Sequence, residues 1–271
     1  MLARNHSELK ILAKGGKILG RVLAKLLKMC RPGISTWELD QAAEKMILKA
    51  GGRPAFKNYR ASSSETPFPS TICVSLNHEL VHGVARKEIV LKDGDILTID
   101  IGMEYPYKKT KTGERRGCYT DTAATVIIGR APKAVIELVA TARAALSAGI
   151  KVVKAGASVA DIGRAIETFV KGRGPYGVIR DLCGHGVGRA VHEEPSVPNY
   201  YDRRLINYIL QPGQVLALEP MISLGDYRVA TAPDGWTVVM ADGSLCAHFE
   251  HTIVVTKNGC DVLTKRPGEK L

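Results

Sequence analysis

The feature that most constrains this chain is an internal echo. Leu91-Lys-Asp-Gly94-Asp-Ile-Leu97-Thr-Ile-Asp100 lies over Leu210-Gln-Pro-Gly213-Gln-Val-Leu216-Ala-Leu-Glu219, and positions 94, 97 and 100 match 213, 216 and 219 at one offset, 219 − 100 = 119. An earlier pair of turns, Gly33-Ile-Ser35 and Gly156-Ala-Ser158, matches at 158 − 35 = 123. Self-similarity of this kind predicts two related halves, each a helix pair followed by strands, packed about a pseudo-twofold axis. Each half then delivers one acid, Asp100 or Glu219, at the end of an apolar strand.

The helices of each half are legible from their periodicity and caps. Leu12, Leu19, Val22, Leu23, Leu26 and Leu27 recur near a 3.6-residue period with lysines opposite, predicting an amphipathic helix from Leu9 to Cys30. Basic amphipathic helices also serve as membrane-surface or transit elements. A structural role is preferred here because a second helix follows at once, opened by the Ser35–Glu38 capping box and running to about Ala50 before Gly51 and Gly52 stop it. The second half predicts a helix from about Pro132 to Val153, then another from Val159 to near Gly172 and Gly174.

Four acids occupy positions where a sheet interior is expected. Asp100 follows Ile96-Leu-Thr-Ile and Glu219 follows Val215-Leu-Ala-Leu, while Asp121 and Glu250 lead into Ala123-Ala-Thr-Val-Ile-Ile and Thr252-Ile-Val-Val. Burying ionised carboxylates without partners costs several kcal/mol or more, and four converging would repel one another. Lys and Arg are only scattered through these strands, so metal cations are the economical counter-charge. A nitrogen ligand is at hand in the stretch Asp181 to Pro195, where Gly184, Gly186 and Gly188 shape a turn that presents His185, with His192 seven positions on. Four carboxylates and one imidazole suit a pair of divalent ions sharing bridging carboxylates, about 3.5–4 Å apart with a hydroxide between them.

Composition bounds the rest. At 271 residues, with 45% hydrophobic and 24% charged, residues 1–271 are expected to form a single globular domain. The six cysteines (Cys30, Cys73, Cys118, Cys183, Cys246 and Cys260) are widely spaced without a C-x-x-C pair, which argues against a disulfide framework or a thiolate zinc site and for a reducing, cytoplasmic setting. No apolar run is long enough to span a bilayer, and no signal peptide is visible. A net charge of +11 would suit a polyanion such as RNA, although neither basic cluster carries base-stacking aromatics.

Taken in order, these fragments resemble the type I methionine aminopeptidases, of the pita-bread metallopeptidase fold. The matching segments are Pro32-Gly-Ile-Ser-Thr36, Ile72-Cys-Val-Ser-Leu-Asn77 with His82-Gly83, Leu97-Thr-Ile-Asp100, Thr120-Asp121-Thr122, Cys183-Gly-His185-Gly with Val191-His192-Glu-Glu-Pro195, Leu218-Glu219-Pro220 and His248-Phe-Glu250-His-Thr252. The resemblance implies an α+β fold, a curved antiparallel sheet backed by two pseudo-twofold-related helix pairs. It implies removal of the N-terminal (initiator) methionine from nascent chains and peptides, with a small second residue preferred. Asp100, Asp121, His185, Glu219 and Glu250 would hold two divalent ions (Co, Mn, Fe(II) or Zn), with Asp121 and Glu250 bridging. Glu219 would act as general base, His192 would bond the carbonyl oxygen, and His82 would contact the scissile amide or the following backbone. Phe68, Cys73 and Trp236 would line the methionine pocket with His82 and His192, Tyr59 being a weaker candidate. His248 and His251 would orient the site from the strand that carries Glu250.

The sequence also departs from the family pattern. Asp100 and Asp121 are 121 − 100 = 21 residues apart, where the family has about eleven. The excess falls in Tyr105 to Gly117, rich in Lys and Arg, which predicts a basic hairpin extension that contacts the ribosome or RNA or shapes the entrance to the site. Arg60 to Thr66 is polar where the family places aromatic or Cys residues, and Val191 stands where an aromatic residue is usual. The working unit is expected to be a monomer without membrane contact. Two other readings stay open: an X-Pro aminopeptidase or dipeptidase of the same fold, and a non-catalytic homologue that binds RNA or protein.

Overall fold

The computed structural model describes residues 4–60, 66–107 and 117–271. The expected basic tip at 108–116 and the polar stretch 61–65 therefore lie outside the described residues. Four helices, α1 (His6–Met29), α2 (Thr36–Lys49), α3 (Lys133–Val152) and α4 (Val159–Lys171), form the two expected pairs. α1 begins three residues earlier than its apolar period suggests. Asn5 caps it and Glu8 returns the bond to the cap, a capping box that lies outside the leucine pattern. Ser35 with Glu38 opens α2 in the same way, and Ser158 with Asp161 opens α4.

The two halves echo each other bond for bond. The Leu91 amide donates to the Ile34 carbonyl and the Gly33 amide to Leu91, while in the second half Leu210 donates to Ala157 and Gly156 to Leu210. Gly94 and Gly213 take φ of 92° and 84°, and their amides donate to Ile128 and Val255 respectively. Left-handed backbone at both positions is why glycine stands there in each copy.

The expected antiparallel sheet is present as four hydrogen-bonded pieces, every pairing antiparallel. In the first half Ile96–Tyr105 pairs with Ile72–Leu76, with Arg53–Pro54 and with Cys118–Ile127. In the second half the order is Cys260–Val262, His251–Val255, Val215–Leu218, Gly184–Gly186, Glu193–Val197. Met221–Ser223 lies between Cys246–His248 and Gly177–Val178. Val238–Met240 lies between Val229–Thr231 and Glu79–Val81. One main core draws on both halves, from Leu23 and Leu39 through Ile99 to Leu138, Ile166 and Leu218. Burial of these apolar faces against the helix pairs leaves the opposite side of the strands free to line a cavity.

Candidate metal centre

Strand register explains how acids distant in sequence meet. Asp121 lies opposite Gly102, and Gly102 is two positions from Asp100, so both aspartates project from one face of the same strand pair. The ladder runs without a break from Ile96↔Ile127 to Tyr105↔Cys118, so the long connection beyond it leaves this register unchanged. Cys73 is paired with Asp100 and shares that face. In the second half Leu218 pairs with His251, so Glu219 and Glu250 flank one another just past the ladder. His185 pairs with Ala217, two positions before Glu219, and so stands on the Glu219 face.

All five expected ligands line one cavity of about 270 Å³. Donor atoms of Asp121, His185 and Glu250 lie within 4.8 Å of one another. His185 Nε2 is 3.6 Å from Asp121 Oδ2 and 3.6 Å from Glu219 Oε1, too long for hydrogen bonds. Its Nδ1 lies 2.9 Å from the Gly186 carbonyl, which can only accept, so Nδ1 carries the proton and Nε2 is aimed at the carboxylates. The Thr252 hydroxyl accepts from the Asp121 amide at 3.0 Å and donates to Asp121 Oδ1 at 2.9 Å.

The donor set fits divalent cations. Asp100 Oδ1 is buried with no hydrogen-bond partner. Burial first, then neighbouring carboxylates, push Asp100, Glu219 and Glu250 well above the ordinary carboxylate range. Burial raises Asp121 too, against the pull of His185 and the Thr252 hydroxyl. Hard oxygen donors with one imidazole suit first-row divalent ions, and a bound cation would supply the missing counter-charge.

The rest of the cavity is aromatic and apolar. Phe68, Cys73, Trp236, His82, His192 and Tyr59 all line it. The Phe68 and Trp236 rings meet edge to face with centroids 5.3 Å apart. Tyr59 Oη lies 2.8 Å from His192 Nδ1, and the His192 ring stacks edge-on to His185 at 4.5 Å. Packing around the His192 ring, then the His185 and His82 imidazoles, hold its pKa down to about 3, so it is neutral at neutral pH although its outer edge is exposed. His82 adopts φ of 58°, a left-handed conformation rare for a residue with a side chain and the kind of local strain found at functional sites.

His248 Nε2 lies 3.5 Å from Glu219 Oε2, and its pKa is pushed down to about 3 by burial and then by His82. His251 does not line the cavity; it lies on the far side of its strand, against Thr264 and Glu269. The sequence reading missed Phe56, Val81, Leu182, Cys183, Ser196 and Met221 as lining residues. Period-two alternation could have found two of them, since Met221 is two positions from Glu219 and Cys183 two from His185.

Buried carboxylates and one imidazole beneath an apolar cavity define the carboxylate-rich centre of a metallohydrolase. The chain matches the model of metallopeptidase family M24 over residues 10–257 and belongs to that family, whose membership carries divalent-metal use with it. It is 40% identical over 265 residues to methionine aminopeptidase 1 of Bacillus subtilis, covering 98% of this chain and 99% of that one. A crystal structure of methionine aminopeptidase from Thermotoga maritima superposes with a TM-score of 0.89 at 39% identity, over 98% of this chain and 100% of that chain. An Xaa-Pro dipeptidase from Bacillus anthracis shares the fold, with a TM-score of 0.70 at 23% identity, and there the match covers 64% of that chain.

Proposed function

We propose that this metallopeptidase removes N-terminal methionine from peptides and nascent chains. The observation that carries the reading is a five-donor cluster opening directly onto a cavity walled by Phe68, Cys73, Met221 and Trp236. At about 270 Å³ the cavity lies at the small end of ligand pockets, a size for one side chain. Thioether sulfur gains from contact with aromatic edges, which the Phe68–Trp236 pair supplies.

Asp100, Asp121, His185, Glu219 and Glu250 would hold two divalent cations. Bound there, Co, Mn, Fe(II) or Zn would polarise the scissile carbonyl and make water a competent nucleophile near neutral pH. Glu219 takes the proton from the attacking water on its carboxylate and passes it to the departing amine. His192, neutral and hydrogen-bonded through Nδ1 by Tyr59, presents Nε2–H to the carbonyl oxygen as charge develops there. His82, on the same cavity wall, contacts the scissile amide or the next backbone unit. Crowding by His82, His192 and Tyr59 at the cavity supports a small second residue.

The test is methionine release from Met-Ala-Ser, Met-Leu-Ser and an X-Pro peptide by metal-stripped protein with divalent ions restored, using Glu219→Ala as control. Metal-dependent cleavage of the Ala peptide, lost in the control, is expected. Cleavage of the X-Pro peptide alone would replace the assignment with the dipeptidase one, and no cleavage under any metal would favour a binding role.

The basic surface supports contact with ribosomal or other RNA. Lys10, Lys14, Lys17, Arg21, Lys25 and Lys28 are all exposed on α1 and fall within roughly an 80° arc at 100° per residue. Tyr105, at the end of the Ile96–Tyr105 strand that leads into the long hairpin, packs on this helix at Gly15 and under Lys14. Replacing four of these cations by Gln should weaken binding to duplex RNA and flatten its salt dependence; unchanged binding would remove the proposal. We keep a monomer formed by residues 1–271 as the proposed working unit. Six free cysteines accord with a reducing, cytoplasmic setting, and among the described residues no helix is long and apolar enough to cross a membrane.

A further inference from the structure

Asp121 lies on a strand of one sheet, and Glu250 immediately precedes a strand of another. Cys118–Ile127 belongs with Ile96–Tyr105, whereas His251–Val255 belongs with Val215–Leu218 and Cys260–Val262. No ladder joins these two strands among the described residues. A single backbone bond links them, from the Glu250 amide to the Ala123 carbonyl at 3.0 Å. Side chains do the rest: the Thr122 hydroxyl donates to the Glu250 carbonyl at 2.8 Å, and Thr252 closes on Asp121. The spacing of the two carboxylates is therefore set by a seam with little backbone of its own.

The chain's last residues cover the back of that seam. Leu263 to Lys265 passes so close to α1 that a Cβ at Gly16 or Gly20 would come within 2.7 Å of the Leu263 carbonyl oxygen or 2.5 Å of that of Thr264. From there Arg266, buried, reaches the Ala123 carbonyl at 3.2 Å and the Thr122 hydroxyl at 3.4 Å through Nη1. Its other nitrogen is ion-paired with Glu269, whose second oxygen lies 3.2 Å from His251 Nε2. His251 Nδ1 and the Thr252 amide both meet the Thr264 hydroxyl, at 3.0 and 3.1 Å. Arg266 thus holds the same carbonyl that receives the Glu250 amide and the same hydroxyl that holds the Glu250 carbonyl.

The geometry points to Arg266 as a positioning residue for the metal centre: with Glu269 and His251 it locks the seam from behind and fixes the separation of Asp121 and Glu250. It touches neither substrate nor cavity. The inference rests on Asp121 and Glu250 being metal ligands, and it makes a prediction of opposite sign to simple electrostatics. A cation behind four carboxylates weakens their hold on another cation, so removing the Arg266 charge would tighten metal binding if only charge mattered. Loss of positioning loosens it, by about 10- to 100-fold for a group that orients ligands.

The experiment is calorimetric titration of metal-stripped full-length protein with Mn²⁺, alongside thermal melts of the same samples. Arg266→Gln should weaken Mn²⁺ binding by at least tenfold, and Glu269→Gln should shift it the same way. Ile166→Ala, which opens a cavity between α3 and α4, should lower the melting temperature and leave Mn²⁺ affinity unchanged. Should Arg266→Gln not fold, Arg266→Lys serves, because it keeps the charge and loses the two-pronged geometry; it too should weaken binding. Unchanged or tighter binding in the Arg266 variants, or a loss that follows melting temperature equally in Ile166→Ala, would overturn the proposal. If the parent protein does not take up Mn²⁺, or Glu250→Ala takes it up undiminished, the ligand assignment itself falls, and the positioning role with it.

Discussion

Removing one phenolic oxygen tests the proposed geometry of catalysis most sharply. Tyr59 Oη is 2.8 Å from His192 Nδ1; in the proposed geometry its O–H donates there and leaves the single imidazole proton on Nε2. The ring is neutral at neutral pH, with its pKa held near 3, so a protonated ring with donors on both sides is not available. In Tyr59→Phe nothing from residue 59 selects the tautomer, and the loss is that of one neutral hydrogen bond, about 0.5–1.5 kcal/mol. At about 1.36 kcal/mol per tenfold that is a fall of about 2- to 13-fold in kcat/KM for Met-Ala-Ser. The fall should lie in kcat, because the bond to the carbonyl oxygen strengthens as charge develops there. His192→Ala should cost about 10²- to 10³-fold, as for other donors to a developing oxyanion. The decisive measurement is the double variant. If Tyr59 acts through His192, Tyr59→Phe changes nothing further in the His192→Ala background. An equal factor in both backgrounds, or an effect confined to KM, would show that Tyr59 merely lines the pocket and that the tautomer argument is wrong.

Four other outcomes follow from the structure. Trp236→Ala removes the partner of Phe68 from the pocket wall and should raise KM for methionyl peptides more than it lowers kcat, as read by steady-state kinetics. Asp100, Glu219 and Glu250 have pKa values raised by burial, so the stability they allow is full below the ordinary carboxylate range and is lost as pH rises through their folded-state values. His192 and His248, with pKa values held near 3, act in the opposite direction in both forms of the protein, so the readout is the gap: the melting temperature of Mn²⁺-loaded protein should exceed that of metal-free protein by more as pH rises from about 5 to 8, and a constant gap would refute this. Burial opposes ionisation of Glu269, but His251 and Arg266 hold its pKa down to about 2, so its contribution is complete above about pH 5 and is lost only as pH falls toward 2. Ser35→Ala and Ser158→Ala each remove a cap in a matching position, and each should cost about 1 kcal/mol in chemical denaturation without altering kcat.

Much of this was legible in the sequence because the information is periodic. The leucine spacing of α1, the Ser-x-x-acid boxes and the repeat of Gly94 and Gly213 each report a local rule that the fold obeys. The four acids and the imidazole were legible for a different reason: ionisable groups placed in apolar strands conflict with burial, and the conflict needs a cation. What stayed hidden lay across the sequence. Phe56, Leu182 and Val81 join the cavity through tertiary approach of segments whose local pattern says only that they are apolar. The role of Arg266 was invisible, because a lone arginine near the end of a chain reads as solvated surface. His251 was expected to orient the site from beside Glu250, and its ring is turned from the cavity toward Thr264 and Glu269, so such a role would act through those partners.

The seam between the halves explains why the centre lies there. A duplicated unit brings two equivalent acids together, Asp100 within the Ile96–Tyr105 strand and not at its end as the sequence suggested, and Glu219 just past Val215–Leu218. Burying four carboxylates opposes folding, so the apo protein carries a penalty that a tightly packed single sheet would avoid by substitution. Here the penalty is concentrated where a ligand can relieve it, which couples metal uptake to the stability of the joint. That coupling requires the joint to be stiff in the absence of metal; otherwise the carboxylates would relax apart and the energy of their repulsion would be spent in motion rather than held for binding. Thr122, Thr125 and Thr252 stitch the front of the joint through hydroxyl bonds to the Glu250, His248 and Asp121 carbonyls at 2.8 Å each, and Arg266 with Glu269 closes its back. These three threonines and the charged pair near the end of the chain are then two parts of one device, and weakening either should loosen the hold on metal before it unfolds either half.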